Sequence, residues 1–182
     1  MLRRTEGHNN FFCSKERFEN LSKEASNIEK NGVRETISCL QLEAEWGCKQ
    51  NITFSRKSYS KNPNKPINGC FDFVVNGGGG RFTYLEVKQP VSHPKYGWEE
   101  LAGNLSSSIR SQVSRWVSED FRSNIENLDL YAKYPTEEQV LILVDLFDVK
   151  NIHEKQLMER KIKLDLSDLK SSLVFINNKE NI

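Results

Sequence analysis

Asp72, Glu86 and Lys88 are the residues of this chain whose types and spacing can do chemistry together. Two carboxylates offer hard oxygen donors, and the lysine sets a cation beside them. Such a site suits Mg²⁺, which takes one or two carboxylates and leaves several positions to water and substrate phosphate. The metal can polarise a phosphoryl oxygen and lower the pKa of a bound water. The ammonium can orient that water or offset charge developing on the phosphate. This is the chemistry of phosphodiester hydrolysis.

The three groups meet only if Gly69 to Pro90, GCFDFVVNGGGGRFTYLEVKQP, folds as a hairpin. Two runs rich in β-branched and aromatic residues, Phe71 to Val75 and Arg81 to Lys88, flank four glycines that can turn at positive φ without steric penalty. A five-residue loop, Asn76 to Gly80, predicts Val75 opposite Arg81 and Asp72 opposite Tyr84. Side chains alternate faces, so Asp72, Tyr84, Glu86 and Lys88 share a polar face at the rim. Phe71, Phe73, Val75, Leu85 and Val87 point to the core. A shift of one residue would part Asp72 from Glu86, so the reading requires an odd loop or a compensating bulge.

These residues resemble the PD-(D/E)xK nuclease superfamily, whose signature is an Asp on one strand and Glu-x-Lys on the next. The match is Asp72, then Glu86, Val87 and Lys88. The resemblance implies Asp72 and Glu86 as metal ligands, the Val87 carbonyl as a further ligand and Lys88 as the catalytic lysine, with Mg²⁺ as cofactor and Mn²⁺ as its substitute. Phe71 stands where the family name has proline, a residue dispensable in the family. The helix after the triplet often carries a Gln in this superfamily, and Gln112 fills that place. A RecB-like branch has Gln-x-x-x-Tyr; here Trp116 stands at the Tyr position.

The order of elements fits an α/β fold with a mixed central β-sheet flanked by helices. The resemblance implies a restriction-endonuclease-like α-β-β-β-α-β core over roughly residues 33–150. It further implies a metal-dependent nuclease of restriction or defence, repair or toxin type. The expected partner is nucleic acid, DNA by the family's habit, and a homodimer is compatible. Two alternatives are carried: an RNA-cleaving toxin of the same fold, and a non-catalytic binding or immunity-type protein on a nuclease scaffold.

Glu159, Arg160 and Lys161 also spell Glu-x-Lys, with Asp148 upstream. They lie in a charged stretch, His153 to Lys163, whose polarity predicts an exposed helix, so they are read as a decoy. The plain alternative for the first triplet is a surface hairpin with a Glu and a Lys facing solvent.

At 182 residues the chain is long enough for one well-buried domain and too short for two comfortable ones, so residues 1–182 are read as a single unit with a loose leader (1–12) and a frayed tail (177–182). No apolar run approaches membrane-spanning length and the start lacks the apolar centre of a signal peptide, so a cytoplasmic location is expected. A net charge of +1 supplies no global basic field, which argues against an architectural DNA binder and leaves an enzyme with a local basic path open. Cys13, Cys39, Cys48 and Cys70 form no C-x-x-C pair, so free thiols are expected instead of a zinc site.

Along the chain, Phe18, Leu21, Ala25 and Ile28 predict a helix from Ser14. Val33, Ile37, Leu40 and Ala44 predict a second, from Val33 to Trp46 with Gly47 as its stop. Nucleases of the resembled family often carry an additional Glu on this helix. Glu35, Glu43 and Glu45 are available, but Glu35 falls behind the stripe and the others on its flanks, so a solvated acidic face is the favoured reading of each. A strand near Gln50 to Phe54 precedes a loop in which Arg56, Lys57, Lys61 and Lys65 surround Tyr59. It is read either as a phosphate and base contact or as solvated loop. His93, in the loop Gln89 to Gly97, is read as a bystander. A helix over about Asn104 to Phe121 carries Leu105, Ile109, Val113, Trp116 and Val117 on one side. Gln112 lies beside them, and Ser108 and Arg115 on its flank reach phosphate or water. Gln139 to Val149 predicts a buried strand, with Asp145 and Asp148 at its end, and Ser172 to Ile176 a last short one.

Overall fold

The computed structural model describes residues 21, 32–55, 71–90, 95–117 and 136–176. The first expected helix lies outside them apart from Leu21, which is helical and buried. The basic loop with Arg56, Lys57, Tyr59, Lys61 and Lys65 also lies outside them, as do His93, the leader and the tail.

Helix α1 spans Gly32–Leu42. Five strands, β1 (Ile52–Ser55), β2 (Phe73–Gly77), β3 (Tyr84–Lys88), β4 (Val140–Asp145) and β5 (Ser172–Ile176), lie side by side in chain order in one sheet. The first three are antiparallel neighbours, whereas β3, β4 and β5 run parallel. Parallel neighbours need a crossover. Helices α2 (Trp98–Val117) and α3 (Ile152–Asp165) supply them, the first between β3 and β4, the second between β4 and β5.

Both sheet faces are covered. On one, Ala102, Ile109 and Val113 of α2 and Met158 and Ile162 of α3 pack over Tyr84, Val140, Ile142 and Val144. On the other, Cys39 and Leu42 of α1 pack with Phe54, Phe73, Leu85, Val87, Leu141 and Leu143. β4 sits at the centre with every side chain buried, which is why its sequence reads as a continuous apolar run. Leu141, Ile142 and Leu143 each contribute roughly 1.5–3 kcal/mol through burial. The arrangement is α/β with a mixed sheet between helices, as expected.

Several boundaries differ from the sequence reading. The helix expected to stop at Gly47 continues through a widened π-type turn, Glu43–Gly47, and a last turn, Cys48–Gln50, and ends where Asn51 adopts φ 54°. Gly47 is there for closeness: a Cβ on it would stand 2.7 Å from the Ile52 carbonyl oxygen. Residues 36–42 of α1 are all buried, Thr36, Ser38 and Gln41 among them, so the buried face is wider than the expected stripe. α2 begins at Trp98, before the expected Asn104, with Glu99 and Glu100 in its first turn complementing the helix dipole. β4 stops at Asp145, whose Oδ1 accepts the Phe147 N–H and turns the chain short of Val149. The charged stretch around Glu159 is a helix, started by Asn151 capping His153 and Glu154. It is not exposed all round, since Lys155, Met158 and Ile162 are buried.

Candidate active site

The hairpin register places the site. Val75 donates its N–H to the Thr83 carbonyl at 2.9 Å, and Phe73 and Val74 pair with Leu85 and Tyr84. The register is thus shifted by two residues from the one expected, and its continuation sets Asp72 level with Glu86 instead of Tyr84. Two is even, so the faces are unchanged: Tyr84, Glu86 and Lys88 still share one side. The longer turn is possible because Gly77, Gly78, Gly79 and Gly80 all take positive φ.

Phe71 departs from the alternation. The chain bends at Asp72, just before β2, and Phe71 stacks on Tyr84 with ring centroids 5.0 Å apart, on the α2 side and not in the α1-side core. The bend also frees the Asp72 side chain. In an antiparallel ladder the positions bonding one neighbour recur every second residue, here Thr83, Leu85 and Val87. At Val87 the Asp72 carboxylate replaces the absent strand partner and accepts the N–H at 2.7 Å.

On the α2 side, Glu86 lies beneath the helix instead of at an open rim. It is 5% exposed, because α2 covers this face and sends Gln112 down onto it. Glu86 Oε1 accepts from Lys88 Nζ at 2.7 Å and from Gln112 Nε2 at 2.6 Å, and Gln112 Oε1 accepts from Lys88 Nζ at 2.5 Å. The amide orientation is dictated by chemistry, since an ammonium cannot accept and a carboxylate cannot donate. Glu86 Oε2 is buried with no hydrogen-bond partner, the one such side-chain atom among the described residues.

The electrostatics follow from this crowding. Loss of hydration, then the charges of Glu86 and Glu35, push the Asp72 carboxyl well above the usual carboxylate range, against the pull of the Val87 N–H and Lys88. Burial also raises Glu86, opposed by the charge and hydrogen bond of Lys88 and by the bond from Gln112, with Glu35 adding to the rise. Glu35 thus belongs to the site's field. It stands in the first turn of α1, half-buried, within electrostatic reach of both carboxylates. The sequence placed it behind the apolar stripe. Glu43 instead accepts the Phe54 N–H of β1 at 2.9 Å, and Glu45 is exposed and accepts from Gln41.

Asp72, Glu86, Lys88 and Gln112 are brought together as the sequence reading required, with Val87 at the centre of the set. Strand geometry points the Val87 carbonyl to the same side as its N–H, toward Asp72. Ser108 and Arg115 are exposed on α2, and the Trp116 side chain lies outside the described residues. The decoy is built differently: Lys161 pairs with Asp165 and Glu159 with Lys163 along α3. A groove of about 600 Å³, lined by Ser107, Arg110, Ser111 and Asp165, contains none of the Asp72 set. No group of three or more His, Cys, Asp or Glu side chains is arranged to hold a metal among the described residues.

A second polar cluster, missed in the sequence, sits behind the site. Gln89, the residue after Lys88, donates its amide to the Arg34 carbonyl at 3.0 Å, to Ser38 Oγ and to Asp145 Oδ2. Ser38 in turn donates to Asp145 Oδ2, and Arg34 pairs with Asp148. Nothing local in the sequence marks it, because its members come from three distant elements. Comparisons with protein-family models, with curated proteins and with solved structures gave no match to this chain.

Proposed function

We propose that the chain is a divalent-metal-dependent phosphodiesterase acting on nucleic acid, with DNA as the expected substrate, on a restriction-endonuclease-like core. The observation that carries the reading is the buried, unpartnered Glu86 Oε2 beside Asp72. A buried carboxylate oxygen without a donor is costly, and an absent ion is a standard reason for one. Asp72, Glu86 and the Val87 carbonyl are the groups that would hold Mg²⁺ or Mn²⁺. Two carboxylates with the remaining positions left to water and phosphate is the donor set Mg²⁺ prefers. No third carboxylate is required.

When bound, the cation would neutralise phosphoryl charge and make a bound water more acidic. The chain's own groups do the rest. Gln112 and Glu86 hold the Lys88 ammonium in one orientation, and its side chain keeps 18% of its surface accessible, enough to meet a phosphate. Its charge offsets the negative charge developing there. Asp72 and Glu86 must shed any proton before they can act as ligands.

Mn²⁺ calorimetry on the wild type, Asp72→Asn and Glu86→Gln, with cleavage assays on DNA and RNA, tests this. Binding and cleavage are expected in the wild type and in neither variant. The already closed Glu86–Lys88 pair supports a second reading, a non-catalytic binding protein on the same scaffold. A wild type that binds nucleic acid but neither Mn²⁺ nor Mg²⁺ would establish it, and cleavage of RNA alone would make the enzyme a ribonuclease.

A further inference from the structure

Successive residues of a strand face opposite ways, so Lys88 points toward α2 while Gln89 points toward α1. The end of β3 is therefore gripped from both sides of the sheet. On the α1 side the grip joins Gln89 to the Arg34 carbonyl in the first turn of α1, to Ser38 one turn on, and to Asp145 at the end of β4. Ser38 is fully buried and Asp145 is 2% exposed. Asp145 also receives the Phe147 N–H, and Arg34 is fastened to Asp148 just beyond it. Burying a carboxylate, a hydroxyl and an amide together is a poor route to stability, since apolar side chains of similar size serve at least as well. What hydrogen bonds add is direction.

We infer that Ser38, Gln89 and Asp145 form a positioning clamp that sets the roll of the β3 end, and with it the aim of Lys88, against the α1 turn that carries Glu35. The inference rests on the nuclease reading above, because it assigns the clamp a role in that reaction. The three are positioning residues. They act through Lys88, which faces the other side of the sheet, and through Glu35 on the helix that carries Ser38, and Ser38 has no surface with which to meet a substrate.

The test compares Ser38→Ala, Gln89→Leu and their double variant with Leu42→Ala. Leu42 is a fully buried residue of the same helix that makes no part of the clamp or the site. Each clamp variant is expected to lose about ten- to a hundredfold in kcat on a DNA duplex at saturating Mg²⁺, below its melting temperature, as a small misplacement near the reacting groups does. KM should stay within about twofold, since ground-state binding is untouched. The double variant should lose no more than the worse single one, because the residues act as a unit. Leu42→Ala should melt earlier and keep its kcat. If Ser38→Ala fails to fold, the half-buried Gln89→Leu and the isosteric Asp145→Asn carry the comparison. Wild-type kcat in the folded clamp variants overturns the clamp and leaves the nuclease reading standing, and so does an equal kcat loss in Leu42→Ala. A wild type that neither binds Mn²⁺ nor cuts DNA or RNA overturns both.

Discussion

The carboxylate of Asp72 accepts the backbone N–H of Val87 at 2.7 Å, so the first acidic residue of the site is fastened to the middle of the Glu-x-Lys triplet. This bond keeps Asp72 near Glu86 although burial raises both carboxyls and the charge of Glu86 raises Asp72 further. Asp72→Asn keeps an acceptor for Val87 and removes the charge.

The pH dependence of the metal-free protein follows from that substitution. The folded chain holds a proton on Asp72 more tightly than the unfolded chain, whose carboxyl titrates near its ordinary 3.8. The Asp72 contribution to stability should therefore be fully present below that value and be lost as pH rises from it through the raised folded value. Thermal melts of Asp72→Asn in chelator should exceed the wild type at pH 8, with the gap closing as pH drops below the ordinary carboxylate range. A constant gap at all pH values would show that the Asp72 charge is not strained.

Lys88 and Lys161 form an internal pair of controls. Lys88→Ala should reduce kcat by at least about a hundredfold, the loss expected for a positioned charge-stabilising group. Lys161→Ala removes one ion pair on α3 and should leave cleavage unchanged. Single-turnover rates at saturating metal distinguish them.

Gln112→Leu breaks two contacts at once, leaving Glu86 Oε1 and the Lys88 ammonium to each other. A cost of about 1–3 kcal/mol in stability is expected from buried groups that lose a partner. Urea titration would measure it. Cleavage should also fall, since Lys88 loses one of the two acceptors that fix its direction.

At the hairpin tip, Gly77→Ala and Gly79→Ala should differ although both glycines have positive φ. A Cβ at Gly79 meets nothing, so its cost is about the 1–2 kcal/mol of the left-handed conformation alone. A Cβ at Gly77 would stand 2.2 Å from the Asn51 carbonyl oxygen, so the strand must move. Denaturation midpoints should order wild type, Gly79→Ala, then Gly77→Ala.

The strands were legible because β-branched and aromatic runs are short and bounded: Ser172–Ile176 is a strand to the residue, and the face shared by Glu86 and Lys88 follows from alternation. Gln112 was legible as an amide lying beside the apolar stripe of its helix, in the place where the resembled superfamily often carries a Gln. Glu35 was not, because a helical wheel assumes solvent behind the stripe, and here the first turn of α1 stands beside the carboxylates. The π-type turn at Glu43–Gly47 was hidden for a related reason: Gly47 spells a stop, while the Ile52 carbonyl pressed against it is a tertiary contact. Phe71 changed sides because a bend at Asp72 interrupts the alternation that a run of strand formers implies.

The glycine turn imposes a rule on length. With Val75 paired to Thr83, deleting one residue from the tip would carry Tyr84, Glu86 and Lys88 to the α1 layer and drive Leu85 and Val87 beneath α2, unless a bulge restored the count. Deleting two would leave every side chain facing as it does now, as in the shorter turn expected from the sequence. Length changes at this tip should accordingly be tolerated in even steps, which lengthen or shorten the turn while Asp72, Glu86 and Lys88 keep the faces they have now.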